Sequence, residues 1–463
     1  MSKKLVYDIH DKPQFGKLIV LAFQQLLAIM AATIAVPTIV GNDMSASAAL
    51  FGAGVGTIVY QLFTKFRSPV FLGSSFAFIP SMSAAFAGAV SMNAGYFGLI
   101  IGAVMAGLVY VIIALAVKIA GVGWINKLMP AAVIGPTVAL IGLSLSGVAI
   151  KDVFSCPSDY SGPFVMNTAL WVSLICALVT LFVVILCSTY GKKMTRLIPF
   201  IIGILSGYAV AMVFTLIGHS KGFDTKVIDF APFTNLVADG VNLSTFFAVP
   251  DFSLVKAIEG IKEIDANYIL TVAVAYIPVA FVVFAEHIAD HKNLSTIIDK
   301  DLLEDPGLHR TLLGDGIGSI AGAVFGGCPN TTYGESVGCV AITRNASVAT
   351  ITTTAVMAIL ISFISPFVAF LDSIPGCVMG GVCITLYGFI AVSGLKMIQK
   401  INLEDNANLF TVSVILICGI GGMALKIGQV TLTTTACALI LGIIVNILLN
   451  KFRKPDEKSK GDK

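Results

Sequence analysis

The sequence predicts an all-α polytopic membrane protein with 14 transmembrane segments, arranged as two inverted repeats of seven spans. Three observations predict this class. The 463 residues are 57% hydrophobic and only 12% charged, and the mean hydropathy is +0.93. Long apolar runs alternate with short polar or basic loops. Two runs at corresponding places in the two halves are broken by Gly and small polar residues. This composition excludes a soluble enzyme.

The number of spans follows from the apolar runs and from the positions of Lys and Arg. If the N-terminus is cytoplasmic, 23 of the 29 Lys and Arg residues fall inside and 6 fall outside. One span more or fewer would invert every later loop and destroy this asymmetry, so the positive-inside rule predicts 14 spans with both termini cytoplasmic. The runs lie at about 15–38, 48–64, 70–90, 95–118, 127–149, 168–190, 197–218, 267–290, 311–326, 328–343, 346–371, 375–395, 408–425 and 430–450.

The two halves of the chain repeat each other. The polar segment 219–266 is the only long external loop, and we expect one short helix in it near 253–264. Spans 3 and 10 are both broken, around 73–76 and 330–334, and each is predicted to be a short strand followed by a half-helix. An odd number of spans per repeat inverts the second copy. Paired broken spans in inverted repeats indicate a binding site near the middle of the membrane.

Four carboxylates lie within the predicted spans. Glu286 and Asp290 are four residues apart, so they share one face of span 8, whereas Glu335 lies in broken span 10. A carboxylate at membrane depth is a functional-site hypothesis. Asp290 is near the cytoplasmic end of its span and is equally well interpreted as an interfacial charge. Asp315, in span 9, either holds a cytoplasmic loop or joins a proton path.

The residue types around the breaks indicate the kind of ligand. Carboxylates accept hydrogen bonds from N–H groups, and the N-termini of half-helices offer N–H groups to carbonyl oxygens. Phe76 and Tyr333 provide flat faces at the two breaks, although packing is the commoner role of an aromatic ring. A small planar heterocycle with alternating N–H and C=O groups fits these three features. No phosphate-loop, dinucleotide or zinc motif occurs, and the nine cysteines have no metal-binding spacing.

Several motifs resemble the bacterial uracil permeases of the nucleobase–ascorbate transporter family. They are GSSFAFI at 73–79, AEHI at 285–288, KDLLEDPGLHR at 300–310, NTTYGE at 330–335 and AITR at 341–344. The resemblance implies a core domain and a gate domain, each built from both halves of the chain. The implied boundaries are 15–118 and 267–371 for the core, 119–218 and 372–450 for the gate, 219–266 for the extracellular loop and 451–463 for a cytoplasmic tail.

The resemblance also implies a function: uracil:proton symport by alternating access in the bacterial cytoplasmic membrane, by a homodimer surrounded by lipid. It implies neither an enzyme nor a nucleic-acid partner, and no metal or cofactor. The same motif positions imply that Glu286 and Glu335 accept hydrogen bonds from the pyrimidine N–H groups. The backbone N–H groups of Phe76 and Gly334 would hold the carbonyl oxygens. The implied enclosure of the ring consists of Phe76, Tyr333 and Ala32, and the implied proton-coupling residues are Glu286 and Asp290.

The sequence departs from the family pattern at two places. Gln25 stands where many members have His, and Asp290 stands where the best-known uracil carrier has His. The first alternative is therefore a xanthine or oxopurine:proton symporter of the same family, although xanthine and urate carriers typically have Gln at the position of Glu335. The second is an anion carrier with a seven-plus-seven fold, which the two carboxylates disfavour. The third is a channel or a lipid-modifying enzyme, for which no nucleophile–base pair is apparent.

Overall fold

The structure is a computed structural model that describes residues 5–121, 124, 129–155, 162–192, 194–221, 227–238, 240–427 and 430–451. Apart from short strands, it is built of helices. These are α1 Phe15–Val40, α2 Ala46–Phe63, α3 Ile79–Gly88, α4 Met92–Ala120, α5 Ala131–Ser144, α6 Ser146–Val153, α7 Thr168–Tyr190, α8 Met194–Leu197, α9 Pro199–Lys221, α10 Ala231–Asn235, α11 Ser253–Gly260, α12 Ala266–Ile298, α13 Leu308–Gly326, α14 Gly334–Thr343, α15 Val348–Ile361, α16 Ser365–Asp372, α17 Gly376–Ile398, α18 Asn406–Ile420 and α19 Thr434–Lys451.

The helices have the length and composition of membrane spans. Within the described part of the chain, nine are long and apolar enough to cross a bilayer, counting α5 and α6 as one. Three shorter apolar helices, at 76–88, 348–361 and 406–420, accompany them. The predicted class, a helical polytopic membrane protein, is therefore confirmed. The predicted cytoplasmic tail lies outside the described residues from 452 onward.

Two three-residue strands from distant parts of the chain pair with each other. Strand β1, Leu72–Ser74, pairs antiparallel with β2, Asn330–Thr332, so that Gly73 faces Thr331. Helix α3 follows β1 after a short 3₁₀ turn, and α14 follows β2 after one residue. A side chain at Gly73 would clash with its surroundings, because its Cβ would lie 2.2 Å from the ring of Tyr333. The pair holds the starts of two half-helices close together.

The helices pack in two groups. Helices α1 to α4 pack mainly against α12 to α15. In the other group, α5 and α6 pack mainly with α17, α7 packs with α9 and α17, and α18 packs with α5 and α19. Small residues allow the closest contacts in the first group. A Cβ at Gly52 of α2 would be only 2.5 Å from the carbonyl oxygen of Gly322 in α13. Such a close approach of two helix backbones is typical of helices packed inside a membrane.

The structure corrects one predicted span and locates the short helix and a strand pair in the connecting segments. The apolar run at 346–371 is not one helix, because α15 ends at Ile361 and α16 begins at Ser365. At this interruption Phe247 of the long loop forms a β-bridge with Ile364, and the N–H of Ala248 donates to the carbonyl of Phe363 over 3.0 Å. The short helix expected near 253–264 is α11. The second strand pair, β3 Leu425–Ile427 and β4 Val430–Leu432, precedes α19.

Candidate functional site

A cavity of about 420 Å³ lies beside the strand pair. It lies between the starts of the two half-helices on one side and α5, α9 and α17 on the other. This volume is typical of a small-molecule site. The first side of its wall includes Phe76, Glu286, Asp290, Tyr333, Gly334 and Glu335, and the second includes Val138, Ile141, Phe200, Leu386 and Phe389.

Three carboxylates face this cavity. Glu286 and Asp290 come from successive turns of α12, and Glu335 comes from the first turn of α14. Asp290 is held in place by the neighbouring strand, since its Oδ2 accepts a hydrogen bond of 3.0 Å from the hydroxyl of Thr332. The other two carboxylates have no such neighbour in β2. The structure therefore brings together all three carboxylates that the sequence selected as site residues.

The start of α14 provides backbone donors at the same place. The first N–H groups of a helix have no acceptor within that helix, and those of α14 begin at Gly334, in the cavity wall. The position of this end is fixed from both sides. The hydroxyl of Tyr333 donates to the carbonyl of Ser74 over 2.7 Å, and the N–H of Ser75 donates to the carbonyl of Pro329 over 2.9 Å.

Three residues were predicted to enclose the ligand, namely Phe76, Tyr333 and Ala32, and only the two aromatic ones line the cavity. Phe76 packs edge-to-face against Tyr387 of α17, with ring centroids 5.9 Å apart, so this contact joins the two helix groups. Tyr333 also lines the cavity, at the residue that follows β2. Ala32 is fully buried in α1 and is not among the residues of the cavity wall. Six of the seven predicted site residues thus line the cavity, and Ala32 does not.

A contact of Gln25 with α14 escaped the sequence-based reasoning. The Nε2 of Gln25 donates to the hydroxyl of Ser336 over 2.7 Å, and that hydroxyl also accepts from the N–H of Phe71 over 3.2 Å. All three residues are buried. Gln25 therefore ties α1 to the residue that follows Glu335. The sequence contained one sign of this role, the departure from the family pattern at Gln25.

Asp315 does not line the cavity. Its Oδ2 lies 2.7 Å from Nδ1 of His287, whose Nε2 lies 2.9 Å from the hydroxyl of Thr311. These side chains are buried between α12 and α13. His287 points away from Glu286, as expected for adjacent helix positions. The bonds of His287 fix the rotation of α12 and so the direction of Glu286.

The fold and the cavity define a class: a polytopic membrane transporter with a small-molecule site at a pair of broken spans. Comparisons with known proteins agree with this class. The model of the Permease family matches residues 16–428. The uracil permease of Bacillus caldolyticus is 39% identical over 450 residues, covering 96% of this chain and 95% of that protein. The uracil permease of Escherichia coli strain K12 is 33% identical and covers 99% and 97%.

The chain belongs to this permease family, and it is a transporter rather than an enzyme. Solved structures show the same fold in more distant proteins. The transmembrane domain of the cyanobacterial bicarbonate transporter BicA superimposes with a TM-score of 0.62 at 15% identity, covering 95% of this chain and all of that domain. Murine Slc26a9, an anion transporter, gives a TM-score of 0.62 at 13% identity, covering 96% and 69%.

Proposed function

We propose that this protein takes up uracil together with protons across the bacterial cytoplasmic membrane. The observation that carries the proposal is the meeting of three carboxylates, Glu286, Asp290 and Glu335, with the start of α14 on one cavity. This set combines hydrogen-bond acceptors with backbone donors. Relatives named uracil permease, 33% and 39% identical over nearly the whole chain, support the choice of substrate.

In the proposed complex, the pyrimidine ring lies between the two broken spans. Glu286 and Glu335 accept hydrogen bonds from its two N–H groups, and the N–H groups of Phe76 and Gly334 donate to its carbonyl oxygens. Phe76 and Tyr333 enclose the ring faces. A hydrogen bond to a charged group contributes about 1.5–3 kcal/mol, so an ionised Glu335 discriminates strongly against rings that lack the N–H group it binds. Ala32 contributes to the enclosure only by packing behind the cavity wall.

The proposed coupling group is Glu286, with Asp290 beside it. Three carboxylates sharing one cavity repel each other when all are ionised, so a bound proton relieves the repulsion. Glu286 is the better candidate, because Asp290 already accepts from Thr332. Glu286 takes up a proton from the outer side, and the substrate then binds. When the cavity opens to the inside, the substrate leaves and Glu286 releases its proton.

We further propose 14 spans in two inverted repeats, with both termini cytoplasmic, and a homodimer in the lipid bilayer. The core domain is 15–118 with 267–371, and the gate domain is 119–218 with 372–450. The packing of the helices in two groups supports this division. The cavity between the groups supports alternating access, since a movement of one group against the other would open it to either side.

The deciding experiment compares wild-type protein with Glu286→Gln in proteoliposomes that carry an inward proton gradient. We expect the variant to lose accumulation of labelled uracil above the external concentration. Uracil binding in detergent shows whether the site itself survives. Glu404→Gln, a change in a cytoplasmic loop, is the control. Undiminished uphill uptake by Glu286→Gln would overturn the assignment of the coupling group.

A competition assay decides between uracil and the alternatives. Unlabelled uracil and thymine should reduce the uptake of labelled uracil, whereas xanthine and urate should not. Equal competition by xanthine would favour the oxopurine symporter. An anion carrier is disfavoured because the cavity wall contains three carboxylates, and the likeness to the bicarbonate and anion transporters concerns the fold alone.

A further inference from the structure

The short helix α11 in the long loop has an apolar side that is left exposed by the described residues of the chain. Ser253, Ala257 and Gly260 face inward and are buried. The flank next to them exposes Leu254, Val255, Ile258 and, in the following 3₁₀ turn, Ile261, with exposed fractions of 38%, 61%, 58% and 50%. At 100° per residue, Leu254, Ile258 and Ile261 fall within about 60° of each other. The flank is therefore a continuous apolar stripe.

The opposite flank of α11 is charged and already occupied. Glu259 accepts a hydrogen bond of 2.9 Å from Nδ2 of Asn93, and Glu263 accepts one from the hydroxyl of Ser91. The Nζ of Lys256 lies 2.5 Å from Asp251. These bonds fix how α11 is rotated about its own axis. With this rotation fixed, the apolar flank of α11 points away from the protein.

The depth of α11 follows from its attachment to α4. A Cβ at Gly260 would lie 2.3 Å from the backbone of Asn93, so α11 rests directly on the first turn of that helix. With 29 residues, α4 is about 43 Å long, whereas the hydrocarbon layer is about 30 Å thick. With α4 centred in the bilayer and perpendicular to it, each end projects roughly 6–7 Å beyond the hydrocarbon. That is the depth at which amphipathic helices lie in a membrane interface.

We propose that α11 is an interfacial helix whose apolar flank inserts at the boundary between headgroups and acyl chains. The lipid-facing side of α4 supports lipid as the occupant, because its exposed residues Leu108, Ile112 and Leu115 form an apolar surface on the helix to which α11 is bound. Four side chains are also too small a surface for a second protein copy, since a stable dimer buries about 800 Å² on each partner. The contact with lipid does not depend on the proposed function. In the proposed orientation, α11 lies in the outer leaflet.

The test measures the environment of single positions on the two flanks of α11. Nitroxide labels are attached to Ile258→Cys and to Glu259→Cys, in a cysteine-free version of the full chain that still transports uracil, reconstituted in phosphatidylcholine vesicles. Ile112→Cys on α4 is the lipid reference. At position 258 we expect the ratio of collision rates with oxygen and with a water-soluble nickel chelate to be several-fold higher than at 259, and to approach that at 112.

Each alternative has its own outcome. Equal access of the nickel chelate at 258 and 259 would mean that the flank faces water, and it would overturn the proposal. A strongly immobilised label at 258, with spin–spin broadening, would mean that a second copy covers the flank, which also overturns it. If the cysteine-free chain does not fold, Ile258→Trp in the native chain replaces it. Brominated lipids should then quench more fluorescence than in the parent, which has two tryptophans of its own.

Discussion

Glu286 and Glu335 face the same cavity but have different surroundings, and this difference separates their proposed tasks. Glu335 lies in the first turn of α14, where the positive end of the helix dipole favours a negative charge. Glu286 lies in the middle of α12 after the buried residues Val282 to Ala285. An ionised carboxylate is therefore easier to keep at 335 than at 286. This agrees with a permanent acceptor at Glu335 and an exchangeable proton at Glu286.

The first prediction concerns Glu335→Gln. Removing the charge weakens one hydrogen bond to the proposed substrate and places an amide N–H against a substrate N–H. We expect the Kd of uracil to rise roughly 10- to 100-fold, which corresponds to about 1.4–2.7 kcal/mol. Isothermal titration with purified protein measures this, and a xanthine titration tests whether some purine binding is gained. An unchanged Kd for uracil would show that Glu335 has a structural role only.

At the scale of single residues, the sequence selected residues of the cavity wall where their chemistry is unusual and missed contacts where the chemistry is ordinary. The three carboxylates and the two aromatic residues were selected because such groups are rare at breaks within apolar spans. Thr332 was not selected as the partner of Asp290, because a hydroxyl in a run of small residues carries no distinct signal. The distance of Ala32 from the cavity wall is likewise set by packing between helices, which one sequence does not reveal.

At the scale of elements, the antiparallel pairing of β1 and β2 holds the site together. Gly73→Ala should disrupt this pairing, because the added Cβ would meet the ring of Tyr333 at 2.2 Å. Overpacking of this kind costs about 1–3 kcal/mol. We expect a lower melting temperature and weaker uracil binding than in wild type. In the matched control, Gly147→Ala, the new methyl group has no atom within 4 Å, and both measurements should stay unchanged.

A second element, the segment before α1, is bound to the residues that follow α12 and α14. The N–H of Ala346 donates to the carbonyl of Tyr7 over 2.9 Å, and Nζ of Lys300 lies 2.7 Å from Oδ2 of Asp8. The hydrogen bond from Lys300 lowers the pKa of Asp8 below its ordinary value. Since the folded-state pKa is the lower one, the pair stabilises the docked segment above about pH 4, and this contribution is lost as the pH falls further.

The prediction for this segment compares wild type with Lys300→Ala by hydrogen exchange, after correction for the intrinsic rate at each pH. At pH 7 the amides near 6–9 and 344–348 should exchange a few-fold faster in the variant. As the pH falls below about 4 and through the lowered pKa of Asp8, the difference should shrink, and the two proteins should become alike once Asp8 is protonated in both. Arg67→Ala, which removes the separate ion pair with Asp305, serves as the control and should leave these amides unaffected. A difference that does not shrink as the pH is lowered would argue against the ion pair.

Elements were predictable where the apolar pattern is long. The ends of α7, at residues 168 and 190, coincide with the predicted run, since polar loops bound it on both sides. The interruption between α15 and α16 was not predicted, although Pro366 in the first turn of α16 is a local sign that a new helix begins there. The bridge between Ile364 and Phe247 accompanies this break, and such a contact from far along the chain leaves no local signal.

At the scale of the whole molecule, the cavity lies between two groups of helices, and its exposed wall residues indicate which side is open. Arg196, Ile342 and Ser393 are exposed members of the wall. In the proposed orientation, all three lie beside loops on the cytoplasmic side, where most of the Lys and Arg residues are. The phenylalanine cluster of Phe51, Phe252, Phe325 and Phe363 packs around the interrupted span, next to the long external loop. These positions support an inward-open state.

The last prediction tests this state and the orientation together. Ser393→Cys places a thiol in the cavity wall, and Asn235→Cys places one in the long loop, both in a cysteine-free chain that transports uracil. A membrane-impermeant maleimide should label position 393 several-fold faster in inside-out vesicles than in right-side-out vesicles, and position 235 should show the reverse. Uracil should slow labelling at 393 only, since the substrate occupies the cavity. Labelling of 393 mainly from outside would show that the cavity opens to the exterior, and labelling of both positions from the same side would contradict the proposed placement of the spans.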